Sequence, residues 1–186
     1  MCKKYYEEET KMLTGEQEKT LNEACSLYLE ARNAEEPEDK IHSLELFNKA
    51  LNMLVEYIDE VDDIYYQIVF ANCIEELQRK GNIQFSDQIV QAKVNIYVKM
   101  LSWLMEASGY KPNFKGHLFI ALGALARLFL LGEENVRQND QLARVCYLAL
   151  GDIGAVPEDL LNELYLQNFV QDEATGQWKY IGVRPE

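Results

Sequence analysis

The sequence predicts an all-α chain of about seven antiparallel helices closed by a short C-terminal β-hairpin. Apolar residues recur at intervals of three and four from Leu21 to Leu164, the spacing of a single buried helix face. The breaks between these stretches are short, which forces consecutive helices to be neighbours, as a bundle or as a right-handed stack of helical hairpins. Only the segment around 168–182 alternates with the two-residue period of a strand.

Residues 1–13 are charged and lack a periodic apolar face, so they read as a flexible lead-in to one domain over 14–186. Thr14 with Gln17 has the capping-box pattern, and Leu21, Ala24, Cys25, Tyr28 and Leu29 make the stripe of a first helix. Pro37 suits the first turn of a second, in which Ile41, Leu44, Phe47, Ala50, Leu51, Leu54, Val55 and Ile58 repeat at helical spacing. A third helix is expected from near Asp59 to Lys80, with Ile64, Ile68, Ala71, Ile74 and Leu77 buried and Gly81 as its stop.

Ser86 offers the N-cap of a fourth helix reaching to Gly109, whose two apolar stripes suit packing between neighbours. The fifth, from about Asn113 to Leu131, is apolar nearly all round and is expected at the centre of the core, with Gly123 admitting another helix closely. A sixth follows Asn139 and ends near 151–154, and a seventh starts at Pro157 and runs toward Phe169. Gly176 fits a left-handed turn position in the hairpin, and Trp178 or Tyr180 must pack on a helix because an isolated hairpin is marginal in water.

Composition excludes several functions. The chain has 186 residues and a net charge of −13, which opposes binding to nucleic acid or to an anionic membrane. Residues 1–62 carry −9 of that charge and residues 63–186 carry −4, so electrostatic steering comes mainly from the first third. The most apolar run, His117 to Leu131, contains Arg127 and falls short of the roughly 20 residues that span a bilayer. The N-terminus turns acidic where an export signal needs an apolar stretch. Cys2, Cys25, Cys73 and Cys146 form no C-x-x-C pair and read as buried thiols of a reducing cytoplasm, with a disulfide pairing left open.

Catalytic patterns are scarce. His42 and His117 stand 75 positions apart and neither belongs to an H-E-x-x-H arrangement; phosphate-cradling and dinucleotide-binding glycine motifs do not occur. No catalytic residue, metal ligand or cofactor is expected. The cluster to weigh is Glu56, Asp59, Glu60 and Asp63, with Asp62 close by. On a continuous helix these acids share one face; with a break at 59–63 they instead sit favourably at a helix start. Tyr65-Tyr66 adjoins them, and Tyr66 beside carboxylates is a composition suited to binding protein.

The segment Leu125–Gly154 resembles the SEL-like repeat, a relative of the tetratricopeptide repeat. Leu125-Ala126 and Phe129 match the first helix of its pattern and Gly132 its loop; Val136, Asn139 and Ala143 keep its spacing, and Tyr147, Ala149 and Gly154 complete the second helix and its stop. Glu134-Asn135 replaces the second loop glycine, Asn139 stands for Asp and Leu150 for Ala. Ala24 to Ala50 is similar to a degenerate tetratricopeptide hairpin. The resemblance implies a right-handed array of stacked hairpins and adaptor or scaffold work.

The expected function is therefore a non-enzymatic interaction module, an adaptor or inhibitor. It would take another protein, of basic character, on an acidic tyrosine-rich face carried by Glu56, Asp59, Glu60, Asp63 and Tyr66. An immunity or antitoxin-type inhibitor of a basic toxin is a specific form of this reading. The rival is an enzyme or small-ligand sensor with a pocket between helices four, five and six lined by Trp103, Tyr97, Phe119 and Tyr147. A homo-oligomer held through the Trp178 hairpin is compatible with either.

Overall fold

The computed structural model describes residues 13–34, 39–106 and 115–184, and among these the chain forms seven helices and one hairpin. They are α1 (Gly15–Asn33), α2 (Lys40–Val55), α3 (Ile64–Gly81), α4 (Asp87–Glu106), α5 (Lys115–Leu131), α6 (Asp140–Asp152) and α7 (Glu158–Leu164), followed by strands β1 (Phe169–Gln171) and β2 (Trp178–Tyr180). Most of the expected lead-in, Cys2, Pro37 and the α4–α5 connection with Gly109 and Asn113 lie outside the described residues.

Helix starts follow local chemistry. The Thr14 hydroxyl accepts from Gln17 N–H while the Gln17 amide accepts from Thr14 N–H, closing the capping box at α1. Asn139 caps α6 through Leu142 N–H. Such caps each contribute about 1 kcal/mol.

Four expectations need correction. The second helix stops earlier and the third starts later than expected: α2 ends at Val55, a 3-10 turn covers Ile58–Glu60, and α3 begins only at Ile64 behind the Asp63 N-cap. Gly81 stays in α3, and the left-handed stop is Asn82 at φ 51°, whose short side chain tolerates that backbone. Ile41 and Val55, at the two ends of the α2 stripe, project outward while Phe47, Ala50, Leu51 and Leu54 are buried. Gly123 faces open space, so no helix makes the close approach that its size permits.

The expected central helix, α5, is buried at ten of its residues, and α3 shares the centre with it. Ten consecutive residues, Ile68 to Leu77, are buried. Val69, Phe70, Cys73, Ile74 and Leu77 join α1 and α2 in one apolar cluster, whereas Ile68 and Ala71 join α4, α5, α6 and the hairpin in a second. Ile96 of α4 packs against both clusters.

A helix buried on every side must satisfy its polar side chains internally. Asn72 donates to the Tyr28 hydroxyl at 3.1 Å and to the His117 carbonyl at 3.0 Å, and accepts from the Tyr97 hydroxyl at 3.0 Å. One turn on, Glu75 meets the fully buried Lys93 ammonium at 2.8 Å. Lys93 also donates to Gln78 at 2.7 Å and pairs with Glu134 at 2.8 Å; Arg127 reaches Glu75 at 3.5 Å and Glu133 at 2.7 Å. Lys93 thus ties α3 and α4 to the loop between α5 and α6. That loop holds Gly132, Glu134 and Asn135 at positive φ (74°, 50° and 61°), and its one long side chain in that region is the Glu134 that Lys93 clamps.

The hairpin is seated on α6 by a run of rings. Tyr147 stacks on Tyr165 at 4.3 Å and meets Phe169 at 6.2 Å, and Phe169 meets its cross-strand partner Tyr180 at 5.0 Å. Gly176 takes the left-handed turn at φ 69°, as its position in the sequence requires.

Replacing Lys93 by Ala removes the buried cation that Glu75 and Glu134 share and is expected to lower the unfolding free energy by about 3–5 kcal/mol. Lys93→Ala combined with Glu75→Gln is expected to recover part of that loss. Urea denaturation of the three proteins measures it, and equal midpoints for wild type and Lys93→Ala would contradict the assignment.

Candidate functional site

The acids singled out by the sequence do not form a single helical face, because the backbone leaves the helix after Val55. Glu56 follows the last turn of α2, Asp59 and Glu60 ride the 3-10 turn, and Asp63 accepts from Tyr65 N–H at 2.8 Å as the N-cap of α3. The break with acids at a helix start is the arrangement found, and it stabilises α3 through the positive end of its dipole.

Tertiary packing nevertheless gathers a broader acidic corner. Gln17 of α1 donates to Glu60 at 3.1 Å, and the Tyr66 hydroxyl donates to Asn22 at 3.1 Å. The first turns of α1 thereby lie against the α2–α3 connection, adding Glu16 and Glu18 to Glu56, Asp59, Glu60, Asp62 and Asp63, all exposed. Burial and the negative charges of Asp63 and Glu18 raise the Tyr66 phenol above its ordinary value. Glu60, Asp63 and Tyr66 come together with Glu18, while Glu56 and Asp59 lie on the turn before them. The α1 contribution was missed in the sequence because it depends on a contact 43 positions apart.

The four residues of the expected inter-helix pocket are occupied separately. Tyr97 is buried on Asn72, Tyr147 is stacked on Tyr165, Trp103 is half-buried, and Phe119 is turned to solvent. A different concavity, an open groove of about 970 Å³, lies between the first turn of α6 and the hairpin. Its floor is the outer edge of β2. Trp178 N–H donates to Gln141 at 3.0 Å and Tyr180 N–H to Asp140 at 2.8 Å, so α6 side chains satisfy the donors that a further strand would take. Arg184 holds Asp140 at 3.1 Å and also donates to the Leu130 carbonyl, tying the chain end to α5 and α6. Arg144 lies 3.8 Å over the Trp178 ring.

His42 is exposed, 4.0 Å from Glu30. His117 is buried between the Tyr28 and Tyr65 rings, 5.1 and 5.2 Å away. Cys25, Cys73 and Cys146 are buried free thiols, and burial pushes Cys25 and Cys146 up to about 12 and Cys73 well above its usual value. These thiols are poor nucleophiles. Among the described residues no group of three or more His, Cys, Asp or Glu could hold a metal ion, and no helix is long and apolar enough to cross a membrane.

Comparison with known proteins finds no matching family model, no matching curated protein and no matching solved structure.

Burial, reinforced by the nearby Arg32 charge, lowers the His117 imidazole from 6.5 to about 4. Below pH 6.5 the unfolded chain takes up a proton that the folded chain refuses until about pH 4, so His117 contributes stability that is lost as pH falls through that window. The loss reaches about 3 kcal/mol at its lower end. His117→Gln is expected to flatten this part of the stability profile relative to wild type, leaving the carboxylate contribution common to both. Parallel curves for the two proteins from pH 7 to 4 would contradict a buried neutral imidazole.

Proposed function

We propose that this chain is a non-enzymatic interaction module, an adaptor or inhibitor, that takes a basic region of another protein on the corner formed by the first turns of α1 and the α2–α3 connection. The observation that carries this reading is the gathering of seven exposed carboxylates, Glu16, Glu18, Glu56, Asp59, Glu60, Asp62 and Asp63, in two segments, 16–18 and 56–63, that contain no Lys or Arg. Such a corner attracts cations over several ångströms and speeds encounter with a basic surface. Tyr57 and Tyr66, both half-buried, offer ring area beside the charge.

The repeat-like features support the same reading. Gly132 and Gly154 take left-handed turns at 74° and 60°, Asn139 caps α6, and the fully buried Ala143 belongs to the α5–α6 cluster. These are the physical roles that the SEL-like pattern assigns to its glycines and alanines, and α1 packs closely on α2 as a second hairpin. An array of such hairpins displays surface for a partner, and toxin neutralisation is one task it would serve. Three buried free thiols suit a reducing cytoplasm.

The test uses the full chain and a variant carrying Glu18→Lys, Asp59→Lys and Glu60→Lys, which spares the Asp63 cap. Affinity capture from native cell extract in about 50 mM salt is expected to retain a specific partner that is lost near 500 mM, where screening is short-ranged. The variant, with an unchanged circular dichroism spectrum, is expected to lose the partner even at low salt. A partner held equally by both proteins, or none held by the wild type, would overturn the proposal.

A further inference from the structure

The elements that build the groove between α6 and the hairpin reverse the charge of the molecule. Residues 137–147 and 168–184 carry Arg137, Arg144, Lys179 and Arg184 against Asp140, Asp172 and Glu173, in a chain of net charge −13. Most polar groups of the groove are already spent. Asn139 caps α6, Gln141 and Asp140 accept from the β2 backbone, and Arg184 neutralises Asp140. Asp172 accepts from the N–H groups of Ala174 and Thr175 and from the Thr175 hydroxyl, which hold its carboxyl below the usual range.

What remains is specific. Arg137, Lys179 and Gln177 line the groove, exposed, and none of their side chains makes a hydrogen bond or ion pair to a described residue. Trp178 lines it too, half-buried, with one side of its ring backed by Arg144 at 3.8 Å. Two unspent cations, one unspent amide and a braced indole suit a ligand that joins an oxyanion to a flat ring. The oxyanion would meet Arg137 and Lys179, and the ring would lie along Trp178. At about 970 Å³ the groove falls at the upper end of the range of small-molecule sites, about 300–1,000 Å³.

We propose that the groove between the first turn of α6 and the hairpin binds a small anionic ligand bearing a planar ring, through Arg137, Lys179 and Trp178. This site lies apart from the acidic corner and does not depend on the partner-binding reading.

The experiment titrates the full chain with adenosine monophosphate, indole-3-acetate and benzoate by thermal shift and by NMR of the two indole N–H groups, up to about 10 mM. At least one probe is expected to stabilise the chain saturably and move the Trp178 resonance but not that of Trp103, while adenosine and inorganic phosphate, each holding half of the chemistry, bind about tenfold more weakly or worse. Arg137→Ala with Lys179→Ala, both exposed and unbonded, is expected to keep the melting temperature and weaken that probe about tenfold. Trp178→Phe, keeping a smaller ring, is expected to weaken it less. Absence of saturable binding by all three probes, or binding that ignores the double substitution, would overturn the proposal.

Discussion

Everything in this molecule is arranged around one constraint: α3 is buried over ten consecutive residues yet carries Asn72, Glu75 and Glu76 among them. A buried helix with unsatisfied polar groups would forfeit more than its apolar contacts return. The chain answers from four directions. Tyr28 of α1, Tyr97 and Lys93 of α4, the His117 carbonyl of α5 and Glu134 of the α5–α6 loop converge on α3, and the adjacent Glu76 is held by Arg79 and Lys80 of its own helix. Apolar packing alone tolerates small shifts of one helix against another, but a lysine that must reach Glu75, Gln78 and Glu134 together does not. The polar contacts therefore fix how the α1–α2 side and the α5–α6 side sit on their shared wall.

The two surface features follow from that arrangement. Packing of α1 against α3 carries the first turns of α1 to the α2–α3 connection, where the Asp63 cap has already placed acids at a helix start. On the other side, the loop clamped by Lys93 leads directly into the Asn139 cap of α6, and the first turn of α6 seats the hairpin edge through Gln141 and Asp140. The carboxylates at one site are left to solvent. At the other they are consumed by backbone donors and Arg184, which leaves the cations in excess. Net charge describes neither surface by itself.

What the sequence made legible was local. The capping box at Thr14, the left-handed turn at Gly176, the need for the hairpin to pack back on a helix, and most of the helix order depend on residues within a few positions of one another. The α2–α3 break was legible only as an alternative, because the Ile58 position continues the apolar period through a turn that the acids at 59–63 interrupt. The centrality of α3 was obscured by composition: α5 has the more uniformly apolar sequence, and α3 disguises its burial with polar residues that have partners up to 56 positions away. A signal was available in Asn72 and Glu75, which fall between apolar positions of a helix with little exposed face, and in Lys93, which sits between the two apolar stripes of α4. The groove was not legible at all, since its walls belong to α6 and to a hairpin some thirty residues further on.

Native-state hydrogen exchange addresses the central claim most directly. If α3 is the shared wall, the amides of Ile68 to Leu77 exchange only through global unfolding, with opening free energies equal to the equilibrium stability and the same denaturant dependence. Exchange of those amides through a smaller opening, with the α1–α2 side or the α5–α6 side remaining protected on its own, would contradict the account.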